Sequence, residues 1–536
     1  MEINLIQCIL IGGWTSICIT GMLTGTYLTR CLVMAAGVGV ILGDIRTGLL
    51  MGAAGEMAFL GFGVSSGGSV PPNPVGPGII GTIIAIVMKE KGIDTGAALA
   101  YSFPFAVLIQ FLITGIYTAA TGAVSQAEHA VEKGQYRRFR LLANSTLILF
   151  LAAGFGIGFF AAFHVEGMER LIAGIPEWLT KGLGTAGKML PAVGFAVILN
   201  IMASRDAVPF LITGYVLTAY LKLPVMAVAL IAAAITWLLL EAEEKARIKG
   251  SNKQETLKTQ EKIPDKDRKE ASVLSEKELR RISRKTALRA YFLQNGYNYG
   301  NYEGLSYADL MFPALRKVCP NEETFRQELK ESMGYCSVNP NFLPILTSIH
   351  LVTLNRGIAG KESRDIRVAL MGPLAGIGDS LVQFCFAPVF STIGAVMARQ
   401  GMMEGPIVFL LGMNGLLLGL KLFSENLGYN LGMSLAGRLR ERLDSLSGAA
   451  RSIGTAVIAG LAVSCVDIKM ALTFERGGEN ILDMQGFLDL LFPGALSAAY
   501  TGLLFYLIRV KGWTMYKLVG LTLGVGILLQ AAGVLE

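Results

Sequence analysis

Gly68-Ser-Val-Pro-Pro-Asn-Pro-Val-Gly-Pro-Gly78 and Gly372-Pro-Leu-Ala-Gly-Ile-Gly-Asp-Ser380 decide how this chain can fold. They interrupt otherwise apolar sequence, one in each half of 536 residues. Proline has no N–H to donate and glycine holds a helix poorly, so neither stretch fits the interior of a continuous spanning helix. Inside a bilayer, such backbone survives only against protein or around a watery cavity. Both stretches are therefore expected where a polar ligand crosses.

The sequence around them is 52% hydrophobic and 16% charged, which excludes a soluble globular protein of this length. Apolar runs such as Leu147 to Phe163 and Val225 to Leu240 approach the roughly 20 residues that cross ~30 Å of hydrocarbon. They are continuous rather than alternating, which predicts helices and not a barrel. The expected fold is all-α: a polytopic integral membrane protein with broken or re-entrant helices and two membrane modules joined by a charged cytosolic linker. The N-terminus lacks the basic region and cleavage site of a signal peptide, so the first apolar segment is expected to be retained. The clearest spans of the second half are expected at Ile453 to Val466, Phe487 to Ile508 and Val519 to Ala532.

Charge sets the organisation. Glu241 to Lys285 holds 14 Lys/Arg and 10 Asp/Glu, giving +4 of the net +7, and reads as a solvated linker. Its basic excess, like that of Lys133-Gly-Gln-Tyr-Arg-Arg-Phe-Arg140, points to the cytoplasmic side. Four apolar candidates lie between these loops, around 141–165, 186–200, 205–220 and 223–240. The expected modules are 1–240, a linker at 241–285, and 286–536. The last divides into an amphipathic helical cap at 286–356 and a membrane part at 365–536. Leu435, Leu439, Leu443 and Leu446 fall at helical spacing among charges, predicting a helix along an interface.

Three polar residues stand out. Glu56 sits in an apolar, Gly-rich stretch with no basic residue near it in sequence, and a mid-helix acid costs roughly 3 kcal/mol. It either binds ligand or lies at a helix end, capping the broken backbone. Asn73 offers two donors and an acceptor for sugar hydroxyls, or is a turn residue between prolines. Gly372 and Gly376 can be explained by close helix packing. Asp379 is not explained that way; at a helix start it could accept hydroxyl protons.

Nothing points to catalysis on this chain alone. His129, His164 and His350 lack a nucleophile or metal context, seven scattered cysteines read as reduced packing residues, and no Walker loop or dinucleotide fingerprint occurs. No metal and no cofactor are expected.

Leu42-Gly-Asp44, Gly55-Glu-Met-Ala-Phe-Leu-Gly61, Pro71-Pro-Asn73 with Gly78-Ile-Ile80, and Met189-Leu-Pro-Ala-Val-Gly-Phe195 resemble the IIC component of mannose-family phosphotransferase-system (PTS) permeases. Gln294 to Asn298, Gly304 to Tyr307, Pro313-x-Leu315, Val338-Asn-Pro340, Met371 to Ser380 and Gly428-Tyr-Asn-Leu-Gly432 resemble its IID component. The resemblance covers nearly all of the chain outside the linker and implies a IIC–IID fusion. It implies a multi-pass permease of the bacterial inner membrane that carries a sugar across for phosphorylation by a separate IIB protein, itself charged through IIA. No nucleic acid is involved, and a homo-oligomer is expected. The substrate residues expected on this reading are Glu56, Asn73, Asn298, Asn339 and Asp379.

Three places depart from the family pattern: Asn73 where Pro-Pro-Asp is common, Gly300-Asn301 in Asn298-Tyr-Gly-Asn301 where Asn-Tyr-Glu-Arg is common, and Asn355-Arg356 where IID has a Glu pair. They allow an altered, acidic sugar or a decayed site. A non-phosphorylating membrane receptor or facilitator, or an ion-coupled secondary transporter, would use similar broken helices.

Overall fold

The computed structural model describes the chain except residues 1–2, 61–71, 166, 168–175, 203–206, 252–272, 358–366, 369, 372–373, 376–377, 380, 435–438, 465, 472, 477–478, 514 and 536. The first half runs α1 (Leu5–Thr24), α2 (Cys31–Leu42), α3 (Ile45–Phe59), a π-helical segment (Gly76–Gly81) leading into α4 (Thr82–Val87), α5 (Thr95–Ala120), α6 (Gly122–Glu132), α7 (Tyr136–Ala143), α8 (Ser145–Phe163), α9 (Glu177–Met189), α10 (Pro191–Met202), α11 (Val208–Ala219) and α12 (Val225–Ser251). The second half runs α13 (Glu276–Arg289), α14 (Gly304–Val318), α15 (Glu322–Ser332), α16 (Leu343–Asn355), a second π-helical segment (Val382–Phe386) leading into α17 (Ala387–Arg399), α18 (Glu404–Ser434), α19 (Leu439–Ser464), α20 (Met484–Leu491), α21 (Ala495–Lys511) and α22 (Met515–Ala531). One antiparallel hairpin, β1 (Thr473–Arg476) with β2 (Glu479–Asp483), is the exception to an all-helical fold among the described residues.

Local chemistry sets these boundaries. Asn4 and Gln7 form a reciprocal capping box at the start of α1, which ends at Gly25 in the left-handed region. Asp44 and Asp94 cap α3 and α5 by accepting from the Thr47 and Ala97 N–H groups. The four apolar candidates between the basic loops correspond to α8, α10, α11 and α12, with α9 preceding α10. The middle of the charged stretch at 241–285, residues 252–272, lies outside the described residues, while α12 enters it from one end and α13 from the other.

Leu5–Thr24, Thr95–Glu132, Ser145–Phe163 and Glu404–Gly432 are long and apolar enough to cross a membrane. The last was not anticipated, because Lys421 and Glu425 interrupt its apolar pattern. The span expected at Phe487 to Ile508 is instead bent by 78° between α20 and α21. Pro493 cannot continue the helix, and Gly494 turns the chain at φ 68° while its N–H donates to Asp489 Oδ1 at 3.1 Å. The leucine pattern at 435–446 falls partly in α19, with 435–438 and the side chains of 439–450 outside the described residues.

The two halves interleave. First-half helices α9, α10, α11 and α12 pack on second-half helices α19, α21 and α22, and α17 packs on α3. The expected cap has its own core, in which Tyr307, Phe325 and Phe342 are joined by Ala127, Phe139 and Ala143 of the first half. Arg140 pairs with Asp309 at 3.1 Å, and Lys330 with Glu132 at 2.7 Å. The basic loop, read as cytosolic from its charge, and the cap therefore meet directly.

The first Gly/Pro stretch breaks the helix and leads into a π-helical segment, but the described residues of the second, 374–375 and 378–379, are helical, so the interruption expected there appears only as the widened π turn that follows at Val382–Phe386. Such wide turns are rare and concentrate at functional sites, because they leave backbone groups offset from the regular ladder.

Candidate functional site

Glu56, on α3, is 1% exposed. A residue 26 positions earlier supplies the cation that its sequence neighbourhood lacks: Arg30 Nε donates to Oε1 at 2.7 Å. Ser391 of the second half donates to the same oxygen at 2.6 Å, and the Leu32 N–H reaches Oε2 at 3.3 Å. Arg30 also donates to Ser391 Oγ at 3.1 Å. Both carboxylate oxygens are thus engaged, and the cluster joins the two halves.

Arg30 belongs to the loop between α1 and α2, which sequence reasoning missed. Tyr27 in this loop has φ 60°, a strained conformation for a residue with a Cβ. Its ring packs with Val382, Met413 and Leu417 of the second half, while Asn414 donates to the Thr26 carbonyl at 2.9 Å. The strain and the isolated Arg30 were the available signals, but only the second is visible in sequence.

Asn73 is fully buried where the first break enters its π-helical segment. Its amide donates to Gln110 Oε1 at 3.2 Å, its Oδ1 accepts from the Val75 N–H at 3.0 Å, and its own N–H donates to the Ala106 carbonyl at 3.0 Å. The contacts to Ala106 and Gln110 fasten the break to α5.

The structure brings Asn339 and Asp379 together. Asn339 Nδ2 donates to Asp379 Oδ1 at 2.9 Å, and Asp379 is exposed. Among the described residues no hydrogen bond reaches Asp379 Oδ2. Gly378 allows this approach: a Cβ there would lie 2.2 Å from Asn339 Cβ. Asp379 is near enough to Tyr27 and to Glu303 for its charge to act on both.

Glu303, also absent from the expected site residues, is buried in the cap. Burial pushes its carboxyl up to about 8, against hydrogen bonds from the Val338 N–H at 3.0 Å and the Gln294 amide at 3.2 Å. Asn298 holds the loop that leads to it: Nδ2 donates to the Gly296 carbonyl and Asn301 Oδ1, and Oδ1 accepts from the Gly300 and Asn301 N–H groups. Both of its amide hydrogens are used within this loop.

Residues 5–238 match the family model of the PTS system sorbose-specific IIC component, and residues 274–535 match that of the PTS system mannose/fructose/sorbose family IID component. N-acetylgalactosamine permease IIC component 1 of Escherichia coli (strain K12) is 33% identical over 201 residues, 37% of this chain and 74% of the relative. The chain belongs to the mannose-family PTS permeases. The PTS system sorbose-specific EIIC component of Lacticaseibacillus casei is 32% identical over 230 residues, 42% of this chain and 82% of the relative. The sorbose-specific EIID component of the same organism is 27% identical over 262 residues, 47% of this chain and 93% of the relative. This sugar permease thus carries its IIC and IID components in one multi-pass membrane chain. Glu56, Arg30 and Asn73 lie in the IIC part; Asp379, Asn339 and Glu303 lie in the IID part. Permeases of this kind work with a sugar and with IIB and IIA.

Proposed function

We propose that the sugar binds beside Asp379, near where the α1–α2 loop of IIC packs on the second π-helical segment of IID. The observation that carries this reading is the Asp379 carboxylate, exposed, with Oδ1 held by Asn339 and Oδ2 available to a hydroxyl donor. Glu56 and Asn73 shape the IIC wall, and Asn298 shapes the loop that carries Glu303. The chain positions the sugar hydroxyl in the bacterial inner membrane, and the phosphoryl group comes from IIB. Residues 1–240 form the IIC module, 241–285 the tether and 286–536 the IID module, in a homo-oligomeric assembly.

The relatives' names supply the probes: radiolabelled N-acetylgalactosamine, sorbose, mannose and fructose. Full chain in proteoliposomes, with phosphorylated IIB inside, is expected to accumulate at least one of them as its phosphate. Accumulation without IIB, or driven by a proton or sodium gradient, would overturn the proposal; so would no phosphorylation of any of the four. Cross-linking of the reconstituted chain checks the assembly.

A further inference from the structure

Lys421 lies within α18, one of the apolar spans, and is 1% exposed. An ammonium there is costly unless a counter-charge and hydrogen bonds compensate for lost water. Among the described residues no carboxylate lies within ion-pairing distance of its Nζ. Instead Nζ donates to Asn341 Oδ1 at 2.5 Å and sits 3.9 Å from the centre of the Tyr291 ring.

The chain of contacts continues. Asn341 Nδ2 donates to Asn339 Oδ1 at 3.0 Å, and Asn339 Nδ2 donates to Asp379 Oδ1 at 2.9 Å. Asn341 and Asn339 are themselves 5% and 6% exposed. An ammonium can only donate and a carboxylate can only accept, so the two ends fix the direction of both amides between them. Flipping either amide would set oxygen against oxygen or N–H against ammonium. Four side chains from three parts of IID thus form one polarised series, from a buried cation to the exposed acid.

We propose that Lys421 is a positioning residue for substrate binding, acting through Asn341 and Asn339 to fix the orientation and negative charge of Asp379. The proposal rests on the reading of Asp379 as the sugar acceptor. It assigns Lys421 the counter-charge role that Arg30 has for Glu56, with two amides interposed so that Asp379 Oδ2 stays open to ligand. The charge of Asp379 also acts on Tyr27 and Glu303, and both are untouched by the variants below.

The test has two arms, both on the full chain. In the first, without sugar, carboxyls are labelled with a water-soluble carbodiimide and glycine ethyl ester at neutral pH and quantified by mass spectrometry. Exposed Asp467 serves as the internal reference. Lys421→Met removes the cation. Asn341→Asp keeps Lys421 paired but gives an acceptor that cannot donate to Asn339. Both are expected to raise Asp379 labelling about threefold as its ionised form loses support, whereas Lys421→Arg stays near wild type. Wild-type labelling in both Lys421→Met and Asn341→Asp would overturn the relay. If Lys421→Met fails to accumulate in the membrane, Asn341→Asp and Lys421→Arg still decide.

In the second arm, IIB-dependent phosphorylation of the best of the four sugars is measured. Lys421→Met is expected to raise KM about tenfold with kcat within twofold, and to add less than twofold in an Asp379→Asn background. An equal further loss in that background would make Lys421 merely structural. If Asp379→Asn itself leaves KM unchanged, the sugar-site reading fails while the labelling arm still judges the relay.

Discussion

Glu56 and Asp379 are both acids in or beside the Gly/Pro-rich stretches, one in each component, and the structure treats them differently. Glu56 meets its cation directly, with Arg30 and Ser391 on one oxygen and a backbone N–H on the other. Asp379 faces its cation across Asn339 and Asn341 and has a single hydrogen bond from the described residues. An acid whose oxygens are occupied by protein donors can hold two components together but has little capacity left for a ligand. An acid oriented from behind and open in front is suited to accept hydroxyls. The contrast predicts that IIC–IID cohesion lies with Glu56 and sugar recognition with Asp379.

The largest effect should come from breaking the direct pair. Glu56→Gln leaves Arg30 partly buried without its charge partner, a loss of about 3–5 kcal/mol for a buried pair. Thermal unfolding of the purified chain should show this, with the Arg30→Gln/Glu56→Gln double variant recovering much of it. A folded Glu56→Gln chain of normal stability that no longer binds sugar would reverse the comparison. Asp379→Asn should behave oppositely. Its stability should stay near wild type, while loss of hydrogen bonds to a charged acceptor, about 1.5–3 kcal/mol, should cut sugar phosphorylation about tenfold to a hundredfold. Disappearance of the variant from the membrane would make Asp379 structural as well.

Gly378→Ala probes the same acid from behind. The new Cβ would collide with Asn339, so the amide must shift and Asp379 Oδ1 loses its fixed donor. Overpacking at a well-filled position costs about 1–3 kcal/mol, and here that loss should register as a KM several-fold higher with kcat little changed. An unchanged KM would show that Asn339 does not orient the acid for sugar.

Much of the fold was legible because a bilayer leaves few options: continuous apolar runs must be helices, and Pro-Pro-Asn-Pro must fail to be one. The break at Pro493-Gly494 was legible in the same terms, yet the apolar residues on either side outweighed it. The site was only partly legible. Asp379 stands out as an acid in a Gly-rich apolar stretch, although the described residues before it are helical rather than a helix start; its support comes from Asn339, Asn341 and Lys421, separated by up to 82 positions in sequence. Arg30 is a lone cation before an apolar helix, and only packing places it on Glu56. The left-handed Tyr27 has no sequence signature, since glycine or asparagine would be the expected residue at such a backbone angle.

A third acid has neither kind of cation and sharpens the comparison by its pH dependence. Glu303, in the cap and outside the spanning helices, has its carboxyl pushed up to about 8 by burial. A carboxyl in the unfolded chain titrates near 4.3, so between these values the folded protein binds more protons than the unfolded one. The contribution of Glu303 to stability is therefore most favourable below about 4.3 and is progressively lost as pH rises through about 8. Glu303→Gln mimics the neutral acid and should flatten that part of the stability profile. At pH 7 the carboxyl is already largely protonated, so sugar phosphorylation should stay within about twofold of wild type. Thermal unfolding of both chains across this pH range is the check. An unchanged slope would show that Glu303 is ionised in the fold, a charged acid in the cap with no ion pair among the described residues.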